Sequence, residues 1–550
     1  MALDGAIILN LLVAGVLTLI SGTVALLLLQ RAMVRNMMAT AGRPPPADEA
    51  GPQRRPASRP LTIVFDDTAQ PGRDPSRAIL FRACAAHVLA GLAFAVSAAV
   101  LLLLLSGMEL LPLRTAVVVL AFAWPVVLVL NFLTGPDRWR QAAIIGAYFG
   151  LLLVLCGLAA ARGTESLELG GITIPGFGQP LLFWAIYAAP SVFLLLFLNR
   201  TIRAIGPTVI VFVIVLLFGS QIALLIVRTQ PLLDMAVHFA VATGLGGNGL
   251  FWSTVVLGLL VAIWPAWRCA TFLSDRYAAK RTSDVLVTAG AIWILQALML
   301  SFNFGREHGA VGVLAAFVPL LAWRLTLAAG LRPLVREAEN RPDFRLLLLR
   351  VFGFGRRSRR LLDLLGARWR LIGSIDLIAA PDLASRTIEP ATFMGFVRGR
   401  LSAFFIQDVA QLQTRFATLD HRPDPDARYR MNPLFCGNDM WKDAVIRLMR
   451  DASLVVMDLR GFSPERRGCI YELQTLLDVV SLDRLVFLVD VTTHVDALAG
   501  ILMERWQELR ADSPNIDLDN PRIRLINQAE GDAKAVLHLM ATAGLDRGKA

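Results

Sequence analysis

The chain has 550 residues, 55% of them hydrophobic and 18% charged, and a formal charge of +11. So few charges and a mean hydropathy of +0.58 exclude an ordinary soluble protein and point to the membrane. The excess charge is mostly arginine flanking apolar runs, which reads as membrane topology and not as nucleic-acid binding.

The first apolar run, Ala6 to Leu29, is too long for a signal-peptide core and reads as a retained span. Residues 31–82 follow, rich in proline, arginine and small residues. They read as a disordered linker, with one short strand at "LTIVFDD" (61–67). Eight further runs reach the ~20 residues needed to cross a bilayer. They fall near 84–106, 113–134, 140–161, 179–199, 207–227, 249–271, 284–303 and 310–331.

The reading is therefore an α-helical polytopic domain of about nine spans, with 1–30 as the first and 83–331 holding the rest. One set of connecting loops carries roughly 17 Lys and Arg, the other about 4. The positive-inside rule then places the amino terminus outside and the carboxyl terminus in the cytoplasm of a plasma (inner) membrane. The spans hold almost no ionisable groups, which disfavours an ion-coupled transporter. "GLGGNG" (244–249) lies in the outward connection 228–248 with no strand before it, so it is not read as a nucleotide fingerprint. The five cysteines are scattered without CxxC pairs, so neither a disulfide framework nor a metal site is expected.

From Arg332 the composition changes. Six short apolar runs (344–353, 374–380, 431–436, 453–459, 484–491, 522–528) alternate with helical patterns at 356–370, 390–417, 438–451, 466–480, 495–510 and 531–543. Strand alternating with helix predicts a C-terminal α/β domain with a parallel sheet, spanning 340–550 and complete in its core. The apolar stripe of 390–417 reads as core packing, or as a surface for self-association or membrane contact.

In open parallel sheets ligands gather at the carboxyl ends of the strands. Asp458 ends a strand, and Arg460 and Ser463 lie in the turn after it. Gly353, Gly355 and Arg356, in "GFGRRSRR", stand between a strand and a helix. There, backbone N–H groups and charge suit either a phosphate or anionic lipid. Trp441 reads as a packing or base-stacking residue, and Asp439 as a helix cap. Glu472 lies about two turns into the next helix, with Cys469 on the same face. It reads either as a solvated helix glutamate or as a carboxylate beside a bound ribose.

Residues 452–491, with Ser463, Cys469, Glu472 and Leu473, resemble the middle of a TIR domain. Gly468 and Glu472 also fit the spacing of nucleoside deoxyribosyltransferase-like proteins. Both resemblances imply a flavodoxin-like scaffold. They also imply that Glu472 is the catalytic carboxylate of an N-glycosidase acting on NAD or another nucleotide. The expectation is a membrane signalling or sensor protein whose cytoplasmic domain binds a nucleotide or partner domains and self-associates. No bound cofactor is required, NAD or another nucleotide being the ligand. The alternative is a membrane-anchored N-glycosidase.

Overall fold

A computed structural model describes residues 16–35, 53–65, 75–195, 205–350, 355–378, 390–436 and 440–527, with short gaps inside the first, third and fourth ranges. Two units form. The membrane unit takes most of 83–333. The α/β unit takes 29–82, 334–392 and everything from Gly399 onward.

A short apolar helix, α1 (Ile20–Met33), precedes two strands, β1 (Arg54–Arg55) and β2 (Thr62–Phe65). The membrane helices follow: α2 (Pro75–Leu105), α3 (Pro112–Thr134) and α4 (Arg138–Ala161). A hairpin of β3 (Leu167–Leu169) and β4 (Ile172–Ile174) leads to α5 (Gln179–Tyr187). Then come α6 (Gly206–Val227), α7 (Leu232–Ala242), α8 (Gly247–Ala278), α9 (Asp284–Ala315) and α10 (Val318–Glu339). Among the described residues, seven segments are long and apolar enough to cross a membrane. The chain is a multi-pass membrane protein, but the expected count of nine is not reached. The described part of the first span is too short, and at the span expected over 179–199 the described helix ends at Tyr187, the stretch being described only to residue 195 with gaps.

Small residues bring α6 and α8 together. A methyl group added at Gly258 would sit 2.7 Å from the Gly219 carbonyl oxygen and 2.7 Å from Ser220 Cα. Ala262 and Ala266 continue the contact, each a turn further along α8. Lipid tails offer no hydrophobic drive for helix pairing, so such close backbone approach must supply it. Gly258→Leu is therefore expected to cost about 3 kcal/mol by overpacking. It should lower the thermal midpoint of the detergent-solubilised chain by several degrees. Gly146→Leu, at a helical position with open space, should be nearly silent in the same assay.

The α/β unit contains all six strands expected from the sequence: β5 (Arg345–Arg350), β6 (Ser374–Ile378), β8 (Met431–Cys436), β9 (Leu454–Asp458), β10 (Leu485–Val489) and β12 (Arg522–Asn527). Two short strands are added, β7 (Phe405–Ile406) and β11 (Leu509–Arg510). Its helices are α11 (Gly355–Arg368), α13 (Val409–Ala417), α14 (Trp441–Asp451), α15 (Arg467–Val479) and α16 (Val495–Trp506). The helix expected at 531–543 lies outside the described residues.

The eight-stranded sheet runs β2-β12-β10-β9-β5-β6-β8-β7, with every pairing parallel. All five residues of β9 and of β10 are buried, as a sheet covered on both faces requires. On one face Val455, Met457 and Phe487 share a core cluster with Leu473 and Leu476 of α15 and Leu498 of α16.

Two expectations are corrected. The single helix expected over 390–417 is broken into α12 (Pro390–Val397), a 3-10 turn at Leu401–Phe404, β7 and α13. Gly399, at φ 73°, interrupts it, and the Asp408 carboxylate accepts from Gln411 N–H at 2.7 Å to start α13. Phe393–Arg398 belongs to the membrane unit. There the buried Ser274 hydroxyl donates to the Met394 carbonyl at 2.6 Å, and Arg398 pairs with Asp275 at 2.8 Å.

The second correction concerns the linker. Residues 53–65 are not disordered: β2 extends the sheet beside β12, and β1 pairs with β11. The indole of Trp506 donates to the Arg59 carbonyl at 2.8 Å.

This pairing constrains the topology. Because β2 and β12 share a sheet, the chain must cross the membrane an even number of times between Phe65 and Arg345. Seven candidate spans lie between them. That number is odd, and the crossing expected from the sequence at 179–199 would make it even; the end of that stretch lies outside the described residues. Reporters fused after residues 70 and 550 should therefore report one compartment. Reporters after Gly163 and residue 201 should report opposite ones, and agreement of that second pair would remove the 179–199 crossing.

Candidate functional site

The six longer strands, numbered in chain order, run 3-2-1-4-5-6 across the sheet, the doubly wound order of dinucleotide-binding domains. Leaving out β8, the remaining five run 2-1-3-4-5, the flavodoxin-like order. Both orders reverse direction between β5 and β9, so the switch point is the same in either description. In open parallel sheets ligands bind beyond the carboxyl ends of the strands at such a point. The register places Arg350 of β5 opposite Asp458 of β9 at that end.

The strand order thus brings both expected ligand segments to one place. Gly353 lies outside the described residues. Gly355 opens α11, and Arg356 is its second residue. Asp458 ends β9, paired with Arg350 across the switch point, and Arg460 and Ser463 lie on the loop that follows it.

That loop is firmly held. Gly461 adopts φ 70°, where a side chain would be strained. Leu459 N–H donates to the Leu488 carbonyl at 2.8 Å, and the Thr493 hydroxyl donates to the Leu459 carbonyl at 3.0 Å. Asp458 and Arg460 are both buried and form a two-pronged pair, each contact 2.7 Å. Engaged with each other, they brace the loop. A hydrogen bond from Ser463 holds the Glu465 carboxyl below the usual range.

Glu472 is not a solvated helix residue. It is 4% exposed, on the face of α15 that also buries Cys469 and Leu473. Among the described residues its carboxyl has no hydrogen-bond or ion-pair partner, and burial alone pushes it up to about 8. A carboxyl in this state is protonated at neutral pH and can donate a proton or a hydrogen bond. Burial and the nearby Glu472 both push the Cys469 thiol up, so it is not a reactive thiolate. Beside them the Trp441 and Tyr471 rings meet edge to face at 5.3 Å, with the Lys442 ammonium 4.8 Å from the Tyr471 ring. Asp439 lies outside the described residues.

The sequence reading missed a second polar cluster, at the amino-terminal half of β6. Asn432 donates to the buried Asp376 carboxylate at 2.8 Å, and Ser374 Oγ lies 2.9 Å from His421 Nδ1. Arg430 pairs with Asp424 at 2.8 Å and Asp420 at 3.3 Å. Desolvation pushes the Asp376 carboxyl up. An aspartate inside the apolar run "SIDLIAA" was the available signal. The cluster lies at the end of the strands remote from the switch point, which marks it as a brace for the 419–430 connection. Among the described residues no group of His, Cys, Asp and Glu is arranged to hold a metal. Comparison with family models, curated proteins and solved structures finds no match to this chain.

Proposed function

We propose that this chain is a membrane signalling protein whose α/β unit binds a nucleotide at the switch point between β5 and β9. The observation that carries this reading is the strand order, which sets the start of α11 opposite the braced loop after β9. A helix amino end presents N–H groups without intrahelical partners, and α11 opens with the sequence "GRRSRR", both suited to phosphate. The resemblance of 452–491 to TIR domains and to nucleoside deoxyribosyltransferase-like proteins supports the same ligand class. The cytoplasm is the compartment where the positive-inside bias puts this unit and where nucleotides are found.

A second reading, cleavage of an N-glycosidic bond, is favoured by Glu472. A buried carboxyl with no partner is costly to keep and is a hallmark of sites that use it. A protonated carboxyl could serve as the general acid that hands its proton to the leaving base.

Calorimetry on the full chain in nanodiscs, titrated with NAD, ATP and cyclic nucleotides, tests the first reading. Saturable binding is expected for at least one, weakened about 10–100-fold in Arg356→Glu through loss of a charge-assisted phosphate contact. Absence of saturable heat up to millimolar concentration for the whole panel would remove nucleotide binding. Nicotinamide or free base appearing on incubation would select the glycosidase reading.

A further inference from the structure

We propose that α7 is a monotopic element that lies in the lipid headgroup boundary and embeds one flank in the acyl region. It joins α6 and α8, both long and apolar enough to span, so it begins and ends at a membrane surface. Its 11 residues reach only about 16 Å, half of the ~30 Å hydrocarbon core, so it does not cross.

The helix has a covered face, two exposed apolar flanks and a polar stripe between the flanks; Val237 and Val241 make the smaller flank. Leu233, Ala236 and Ala240 form the covered face. Leu232, Met235 and Phe239, at i, i+3 and i+7, make the larger exposed apolar flank, Met235 at 64% and Phe239 at 60%. Asp234 and Gln230 are joined by a 3.4 Å contact, and Asp234 and His238 make an exposed polar stripe at i and i+4.

Lipid is the occupant for two reasons. The exposed apolar face of α8 starts at Trp252, near its α7 end, and runs through Val256 and Leu260 to Trp264 on a helix long and apolar enough to span the bilayer. The Asp234–His238 stripe rules out full immersion, because a charged residue facing hydrocarbon is expensive. An apolar flank beside a polar stripe fits only the boundary, as in other interfacial helices.

The test is a pair of quenchers on the full chain in phosphatidylcholine–phosphatidylglycerol nanodiscs. Bimane is placed at Phe239→Cys, Met235→Cys or Asp234→Cys in a chain whose five native cysteines are replaced. A shallow nitroxide lipid should quench positions 235 and 239 at least threefold more than position 234, and aqueous iodide should show the reverse order. Equal quenching of 234 and 239 by iodide would overturn the proposal. Shielding of 239 from both quenchers would also overturn it, by showing a protein surface there, such as a second copy. If the cysteine-free chain does not fold, the native chain is photolabelled with a diazirine phospholipid. Label within 232–241 is expected, and its absence there while 247–278 is labelled would overturn the proposal.

Discussion

Glu472→Gln is expected to stabilise the α/β unit at pH 8 and to remove ligand turnover or weaken ligand binding. The folded carboxyl titrates near 8 and the unfolded one near 4.5. Between these values the folded chain holds a proton that the unfolded chain has released. Stability therefore falls as pH rises through this window, by about 1.4 kcal/mol per unit, and the fall ends above 8. The glutamine variant has no such proton. It should match the native chain near pH 4.5 and exceed it by up to about 4 kcal/mol at pH 8.

Opening free energies from hydrogen exchange of the α15 amides, in the full chain at pH 5 and pH 8, measure this directly. An unchanged pH slope in the variant would mean that Glu472 is not the titrating group. A stabilised variant that keeps full ligand binding and any turnover would make the buried carboxyl an accident of packing. Stabilisation together with lost function is the signature of a residue kept at a cost to the fold.

A fragment of residues 340–550 is expected to be much less stable than the same fragment preceded by residues 50–66. The fragment alone leaves β12 as an open edge where β2 had paired. It also removes Leu61 from the core cluster and takes Arg54 away from Asp478, which is 3.4 Å distant and buried. Losing a core leucine and a partner of a buried carboxylate amounts to about 4 kcal/mol, allowing for the partial exposure of Arg54. An open strand edge further invites pairing between copies. Urea unfolding and sedimentation of the two fragments, the second joined through a flexible Gly/Ser linker, decide the matter. Equal midpoints and equal monomer fractions would show that residues 53–65 contribute nothing.

The amino-acid order by itself determined the apolar runs, their approximate length, and the alternation of strand and helix after Arg332. These depend on spacing within a few residues, and all six expected strands form within one or two residues of the read boundaries, apart from the carboxyl end of the first, which lies outside the described residues. It also singled out Glu472 and the two segments that meet at the switch point. Only the tertiary structure decided that β2 pairs with β12, because Thr62 meets Arg522 across the entire membrane region and nothing local encodes that partner. It likewise decided that Asp458 and Arg460 neutralise each other, where spacing offered them to a ligand. The protonation of Glu472 was hidden for the same reason. A glutamate on a helix looks alike in sequence whether it faces water or a core, and its charge is set by what the sheet and neighbouring helices place around it.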